Sequence, residues 1–231
     1  MKVSSKFIAL LLSTLWLSAC TGGGGDSGNN TSKNARRGVR VLHASVEAPP
    51  VEAFSSITPE TAALRAEFAG SAFYQPLDNA DQTLQIATAH RPNDIRFTVP
   101  IAKDELGRKT ILLYGDLETF GLRHAEFLDG ESPELTNNEI AIRVVDGATF
   151  ASSVTIAITD GPSFSSVPFG SMSTYSIFEA SDGIVEYVVR RDVDNLPLAS
   201  GIVAIEPGKP YTLLVAGEAE YFVTVRLYED S

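Results

Sequence analysis

Three histidines, one cysteine and several closely spaced carboxylates are the groups in this 231-residue chain that could carry acid–base, nucleophilic or metal chemistry. The histidines are His43, His90 and His124. Histidine is the usual proton carrier at neutral pH because its unperturbed pKa of about 6.5 already lies there. A Ser-His-Asp arrangement holds one histidine between a serine and a carboxylate, and Ser45 and Asp78 are the nominal partners. Nothing in the spacing around the three histidines predicts such a triad or a metal-ligand set, so partly exposed strand positions are expected for them. Residues 137–231 contain no His and no Cys, and that half is closed to this chemistry.

The carboxylates divide into pairs: Asp104 with Glu105, Asp192 with Asp194, and Glu218 with Glu220. A glycosidase sets two carboxylates about 5 to 9.5 Å apart across a cleft, one with a raised pKa. In an acid-rich chain, solvated faces account for most such pairs, and burial of a carboxylate is not expected. Asp192-Val193-Asp194-Asn195 opens like an oxygen-rich cation loop but lacks the Gly and the distant bidentate Glu of an EF-hand. No stretch matches G-x-S-x-G, H-E-x-x-H, a P-loop or a dinucleotide fingerprint. The expectation is a protein without catalytic residues, bound metal or cofactor.

The single cysteine has another use. Lys2 and Lys6 precede an apolar run from Phe7 to Leu17, and Leu17-Ser18-Ala19 leads directly into Cys20. A basic start, a short apolar core and small residues before a cut are the pattern of a secretory signal peptide. An eleven-residue run is too short to span a bilayer as a helix, which takes about 20 residues. The stretch also resembles the bacterial lipobox, which implies that residues 1–19 are removed and that Cys20 is acylated. More than one acyl chain, palmitate among them, is what stable anchoring requires. Thr21 stands where lipoproteins kept in the inner membrane usually carry Asp, so the resemblance implies the outer membrane of a bacterial cell envelope.

Charge narrows the partners. The chain carries a formal charge of −11, and loss of Lys2 and Lys6 makes it −13. Residues 38–136 hold 8 basic and 15 acidic groups, and residues 137–231 hold 5 and 13. Nucleic-acid affinity comes largely from Lys and Arg neutralising phosphates, so an acidic body argues against that partner. It equally argues against the body lying on anionic lipid. With Cys20 committed to lipid there is no disulfide, and stability falls to core burial.

The elements follow from composition and period. Residues 20–37 hold the anchor and then a Gly-, Ser- and Asn-rich tether that cannot bury enough apolar surface to order itself. From Val39 onward, short runs of period two recur between Gly, Pro, Asn and Asp: 39–43, 51–54, 84–87, 95–99, 110–114 and 125–128. Such spacing predicts strands of a sandwich or barrel. Thr58-Pro59-Glu60, followed by helix formers to Phe68 and then Gly70, predicts one or two turns of helix as the exception. Internal similarity then appears. Val39-Arg40-Val41-Leu42 matches Ile142-Arg143-Val144-Val145 at an offset of 103 residues, and Thr110 to Gly115 resembles Tyr211 to Gly217. At the first offset Asp146 takes the place of His43. Residues 38–133 and 137–231 are therefore read as two copies of one β-sandwich.

Val39 to Ser45, with Glu47-Ala48-Pro49-Pro50-Val51-Glu52, resembles the opening of the domain of unknown function 4397, and Gly208 to Val215 resembles its penultimate strand. Val46 stands where that family has Pro, and Glu47 and Glu52 where it has Asp. The resemblance implies exported, tandem, immunoglobulin-like antiparallel β-sandwiches without assigned catalytic residues. Together these readings predict a non-catalytic lipoprotein of the cell envelope with a structural or binding role and a protein or glycan partner. The alternatives are an envelope hydrolase using a carboxylate pair, or a glycan-binding module. The last requires a solvent-exposed row of aromatics, and Trp16, the one tryptophan, leaves with the signal peptide. Most remaining aromatics, including Phe73, Tyr74, Phe164, Phe169, Tyr175, Phe178, Tyr221 and Phe222, are expected in the core.

Overall fold

The computed structural model describes residues 38–230, apart from 58–61, 72–73, 77–79, 104–106, 116–120, 131 and 181. The signal peptide, Cys20 and the tether lie outside the described residues, as do Asp78, Asp104 and Glu105. Residues 35–231 form one compact unit, and the described residues form strands without a helix.

The first half contains β1 (Gly38–His43), β2 (Val51–Ser55), β3 (Ala62–Ala66), β4 (Gly70–Ser71), β5 (Gln75–Pro76), β6 (Gln82–Thr88), β7 (Ile95–Ile101), β8 (Arg108–Tyr114) and β9 (Arg123–Gly130). Two sheets result, β4-β1-β8-β9 with β5 also on β1, and β3-β2-β6-β7. The second half contains β10 (Glu139–Ala148), β11 (Ser153–Ile158), β12 (Ser163–Pro168), β13 (Ser171–Met172), β14 (Ser176–Glu179), β15 (Ile184–Arg191), β16 (Pro197–Ala204), β17 (Pro210–Ala219) and β18 (Phe222–Glu229). Its sheets run β13-β10-β17-β18, with β14 on β10, and β12-β11-β15-β16. Strand for strand, that is the order of the first half. The expected all-β sandwich architecture is present, with one departure from a purely antiparallel arrangement. β1 pairs in parallel with β8, and β10 with β17.

The strands of the outer sheets show why they form. β11 alternates half-buried and buried residues along its length, and β2 does the same. That alternation packs one face of a sheet on a core. β1 behaves differently, because all six of its residues are buried. Val39 and Val41 join Val51, Leu84, Ile86, Ile111 and Leu113 in the core of the first sandwich. Arg40 and Leu42 point the other way, toward the second sandwich. Ile142, Val144, Leu213 and Val215 likewise serve the second core. Leu42, Ala44, Leu112, Val145, Leu214 and Ala216 form a third core, where β1 and β8 meet β10 and β17.

Residues 58–61 of the helix expected over Thr58–Phe68 lie outside the described residues, and the described part, 62–68, is not helical. Ala62–Ala66 is β3, paired with β2 from Val51↔Ala66 to Phe54↔Ala62. Leu64 and Ala66 are buried while Arg65 is exposed. A helix would have placed only part of that apolar set on the core, and tertiary pairing overrides a weak local propensity.

Candidate functional site: a polar joint between the sandwiches

The convergence of ionisable side chains in this protein lies in the third core, and it is built twice from the same parts. Arg40 on β1 stands beside its parallel partner Thr110 on β8, and Arg143 on β10 stands beside Thr212 on β17. Arg40 Nε donates to Thr110 Oγ1 at 2.9 Å, and Arg143 Nε donates to Thr212 Oγ1 at 2.9 Å. Each guanidinium also lies over a tyrosine ring, Arg40 on Tyr74 and Arg143 on Tyr175, both at 4.6 Å.

The remaining donors reach across. Arg40 Nη1 lies 2.5 Å from Asp230 Oδ1, and Arg40 Nη2 donates to Thr212 Oγ1 at 2.7 Å. Arg143 Nη1 lies 2.7 Å from Asp129 Oδ1, and Arg143 Nη2 lies 3.2 Å from Asp230 Oδ2. Arg143 also donates to the Tyr74 hydroxyl, which donates to Asp129 Oδ2 at 2.6 Å. Thr110 donates to Asp129, and Thr212 and Tyr175 donate to Asp230. Arg108 adds a bond to the Asp230 carbonyl and a face over Tyr74. Two cations and two carboxylates thus balance, with their side chains at most 4% exposed. Burial alone would depress the Arg143 guanidinium, but Asp230 and Asp129 hold its pKa above the ordinary value. Burial likewise drives the Tyr74 and Tyr175 hydroxyls above their ordinary range, so both stay protonated donors.

Further along β1 the joint turns apolar and then close. Ala44 abuts Gly147, where a Cβ would lie 2.3 Å from the Ala44 Cβ. Tyr114 meets Phe169 edge-on at 5.0 Å, and Phe68 stacks with Phe222 at 6.1 Å. The Tyr228 hydroxyl donates to the Ala69 carbonyl, and burial lifts its pKa to about 12. This surface is filled. Its charged side chains are at most 4% exposed and are paired with one another.

The sequence-predicted residues fall elsewhere. His43 is not partly exposed but fully buried. Its Nε2 bonds the Pro49 carbonyl at 3.1 Å, Nδ1 has no partner, and burial lowers its pKa. The cause is its register: His43 shares the face of Val39 and Val41 that packs into the first core, and its parallel partner is Leu113 of that core. Ser45 is buried with an unpartnered hydroxyl. His90 is exposed, beside Arg65 and Glu52. His124 packs on Phe97 at 4.7 Å and approaches Glu126. Among the described residues, none of the three lies between a serine hydroxyl and a carboxylate.

Carboxylates do go inside, against expectation: Asp129, Asp146 and Asp230. Asp146 takes His43's place in the repeat and is fully buried. Its Oδ1 accepts the Ala148 N–H at 2.9 Å, its Oδ2 is unpartnered, and burial raises its pKa to about 8. Asp192 accepts from Ser153 and Thr155, and Asp194 and Glu220 both pair with Arg191. Among the described residues no three or more His, Cys, Asp or Glu side chains are placed to hold a metal ion. Aromatics meet the surface at Tyr221, 94% exposed, and its neighbour Phe222.

Half of the signal for this joint is legible in the sequence. The repeat aligned Arg40 with Arg143, and a charged residue kept inside two matching apolar runs marks a place where the strand's second face is occupied.

No family model and no curated protein matches the chain. Three of the solved structures that are similar to it are as follows. One is described as alpha-glucan recognition by family 41 carbohydrate-binding modules from streptococcal virulence factors, 7% identical, covering 81% of this chain and 96% of its own, TM-score 0.26. Another is a family 26 carbohydrate-binding module from Eubacterium rectale Amy13K with maltoheptaose, 10% identical, covering 84% and 97%, TM-score 0.27. The third is a putative cell adhesion protein from Bacteroides uniformis, 8% identical, covering 85% and 100%, TM-score 0.26.

Proposed function

We propose that this chain is a lipid-anchored, non-catalytic protein of the bacterial cell envelope whose two joined sandwiches serve as a rigid binding or structural element. The observation that carries the reading is the polar joint. The groups best suited to acid–base or electrostatic catalysis, two Arg and two Asp, neutralise one another in a filled interface rather than lining a cleft. Oxyanion or phosphoryl chemistry needs such groups aimed at a reacting atom, and here each aims at another side chain. The anchor rests on Cys20 and the residues before it, and the assignment to the domain of unknown function 4397 rests on Val39 to Glu52.

The test is a Cys20→Ala variant expressed in a Gram-negative host and labelled with palmitate. The parent takes up label and sediments with outer membranes, and the variant does neither. A variant that fractionates like the parent removes the anchor.

Tyr221 supports a second reading, a glycan-binding role, because an exposed aromatic ring next to another can stack on a sugar face. A row of exposed aromatics, as a sugar platform needs, is not formed by the described residues. Retardation in gels containing soluble polysaccharides, lost in Tyr221→Ala, supports that role, and equal mobility of parent and variant in every gel rejects it.

A further inference from the structure

The joint is made of equivalent positions that meet in both senses. Arg40, Tyr74, Thr110 and Asp129 of the first half correspond in the repeat to Arg143, Tyr175, Thr212 and Asp230 of the second. Arg40 reaches Asp230, and Arg143 reaches Asp129. Leu42 and Leu112 share the third core with their own equivalents, Val145 and Leu214. Ala44 abuts Gly147, its equivalent at the offset that aligns Arg40 with Arg143. Contact between equivalent positions marks a two-fold relation. Its axis here runs along β1 and β10, which pass each other in the same direction.

Nothing in that set of contacts depends on the two halves belonging to one chain. Each half has a core of its own. Ser132 to Leu135, between β9 and β10, form no strand. The residues after them are already tied to the second half: Thr136 N donates to Glu139 Oε2 at 2.9 Å, and the Asn138 carbonyl accepts the Ala180 N–H at 3.0 Å. The crossing from one sandwich to the other is therefore short and unpaired with either sheet. Opening the polar part of the joint returns Arg40, Arg143, Asp129 and Asp230 to water, where hydration offsets much of the lost attraction.

We propose that the joint is also a contact between copies of this chain: the first sandwich of one copy docks on the second sandwich of another, and the reciprocal docking gives a two-chain assembly with two joints. Each joint then takes Arg40 and Asp129 from one copy and Arg143 and Asp230 from the other. A closed chain and an exchanged pair hold the same joint contacts per chain. Their balance is set by chain concentration and by how easily the crossing lets a chain close on itself. A short crossing moves that balance toward exchange. The recognising surfaces are the β1–β8 face and the β10–β17 face, whose complementarity is already built.

The experiment uses the full-length protein. Two versions are co-expressed, one with Phe68→Cys and the other with Phe222→Cys, positions whose rings stack across the joint at 6.1 Å. The lysate is treated with a short bis-maleimide. The parent's only cysteine is Cys20, so the parent gives the background. Phe68→Cys co-expressed with Thr98→Cys, exposed on β7, is the mismatched control. The expected result is an interchain product from the matched pair at least tenfold above both, rising at least threefold when 132–135 are deleted from both chains. A matched pair no better than the mismatched one overturns the proposal, and so does a yield that the deletion leaves unchanged. One chain carrying both Phe68→Cys and Phe222→Cys reads closure within the chain. Intrachain product without interchain product rejects exchange, and absence of both rejects the contact on which exchange rests. The matched pair with the parent crossing decides the matter by itself, whether or not the shortened chain folds.

Discussion

Arg143 Nη1 lies 2.7 Å from Asp129 Oδ1 across the joint, and its counterpart Arg40 Nη1 lies 2.5 Å from Asp230 Oδ1 in the opposite sense. Each sandwich therefore lends its cation to the other's carboxylate. A buried pair of this kind is weak support for stability by itself, because desolvation offsets the attraction. Its value is in register, since in this docking each arginine meets a carboxylate of the other half.

Removing one partner is thus far costlier than removing both. Arg143→Met leaves Asp129 buried and uncompensated and is expected to lose about 3–5 kcal/mol of stability. Arg143→Met combined with Asp129→Leu is expected to lose much less. Urea unfolding of the single and double variants measures the difference, and equal losses would show that the charges are not coupled.

The Ala44–Gly147 contact gives a steric prediction. Gly147→Ala places a methyl 2.3 Å from the Ala44 Cβ, and overpacking of that kind costs about 1–3 kcal/mol. Ala44→Gly in the same chain vacates the space. The pair should recover most of the loss, short of the roughly 0.5–1 kcal/mol that a strand glycine costs. Thermal denaturation of the three variants reads this directly, and failure of the second change to rescue the first contradicts the contact.

Two buried groups set the pH dependence from opposite sides. Asp146 has its folded pKa raised to about 8, so between about 4 and 8 the folded state binds a proton the unfolded chain has released. Stability contributed by this group is present at low pH and is lost as pH rises through that window. His43 has its folded pKa lowered by burial. Its contribution is present above the unfolded value of about 6.5 and is lost as pH falls below it. Asp146→Asn keeps the acceptor for the Ala148 N–H and removes the charge. It is expected to be more stable than the parent at pH 8, by several kcal/mol, and to lose the decline between pH 5 and 8. Unfolding midpoints at pH 5 and pH 8 test it, and a variant that keeps the parent's slope refutes the assignment to Asp146.

The sequence by itself determined what local chemistry can determine. Alternation in runs such as Ser153–Ile158 specifies a strand with one buried face, because side chains leave a strand on alternate sides. The match of Val39-Arg40-Val41 to Ile142-Arg143-Val144 set the repeat, and the absence of His and Cys after residue 136 closed that half to His- and Cys-based catalysis. Only the tertiary structure decided what faces what. Ala62–Ala66 has helix-forming residues, and pairing with Val51–Phe54 makes it a strand. Arg40 and His43 lie on opposite faces of β1: His43 turns into the first sandwich's own core, and Arg40 is buried because a second sandwich covers the face that one sandwich would leave to water. Asp129 and Asp230 sit near the ends of the two halves, and nothing in their neighbours along the chain marks them as buried. Their environment comes from residues up to 190 positions away, and a carboxylate is stable there only because an arginine from the other half arrives to meet it.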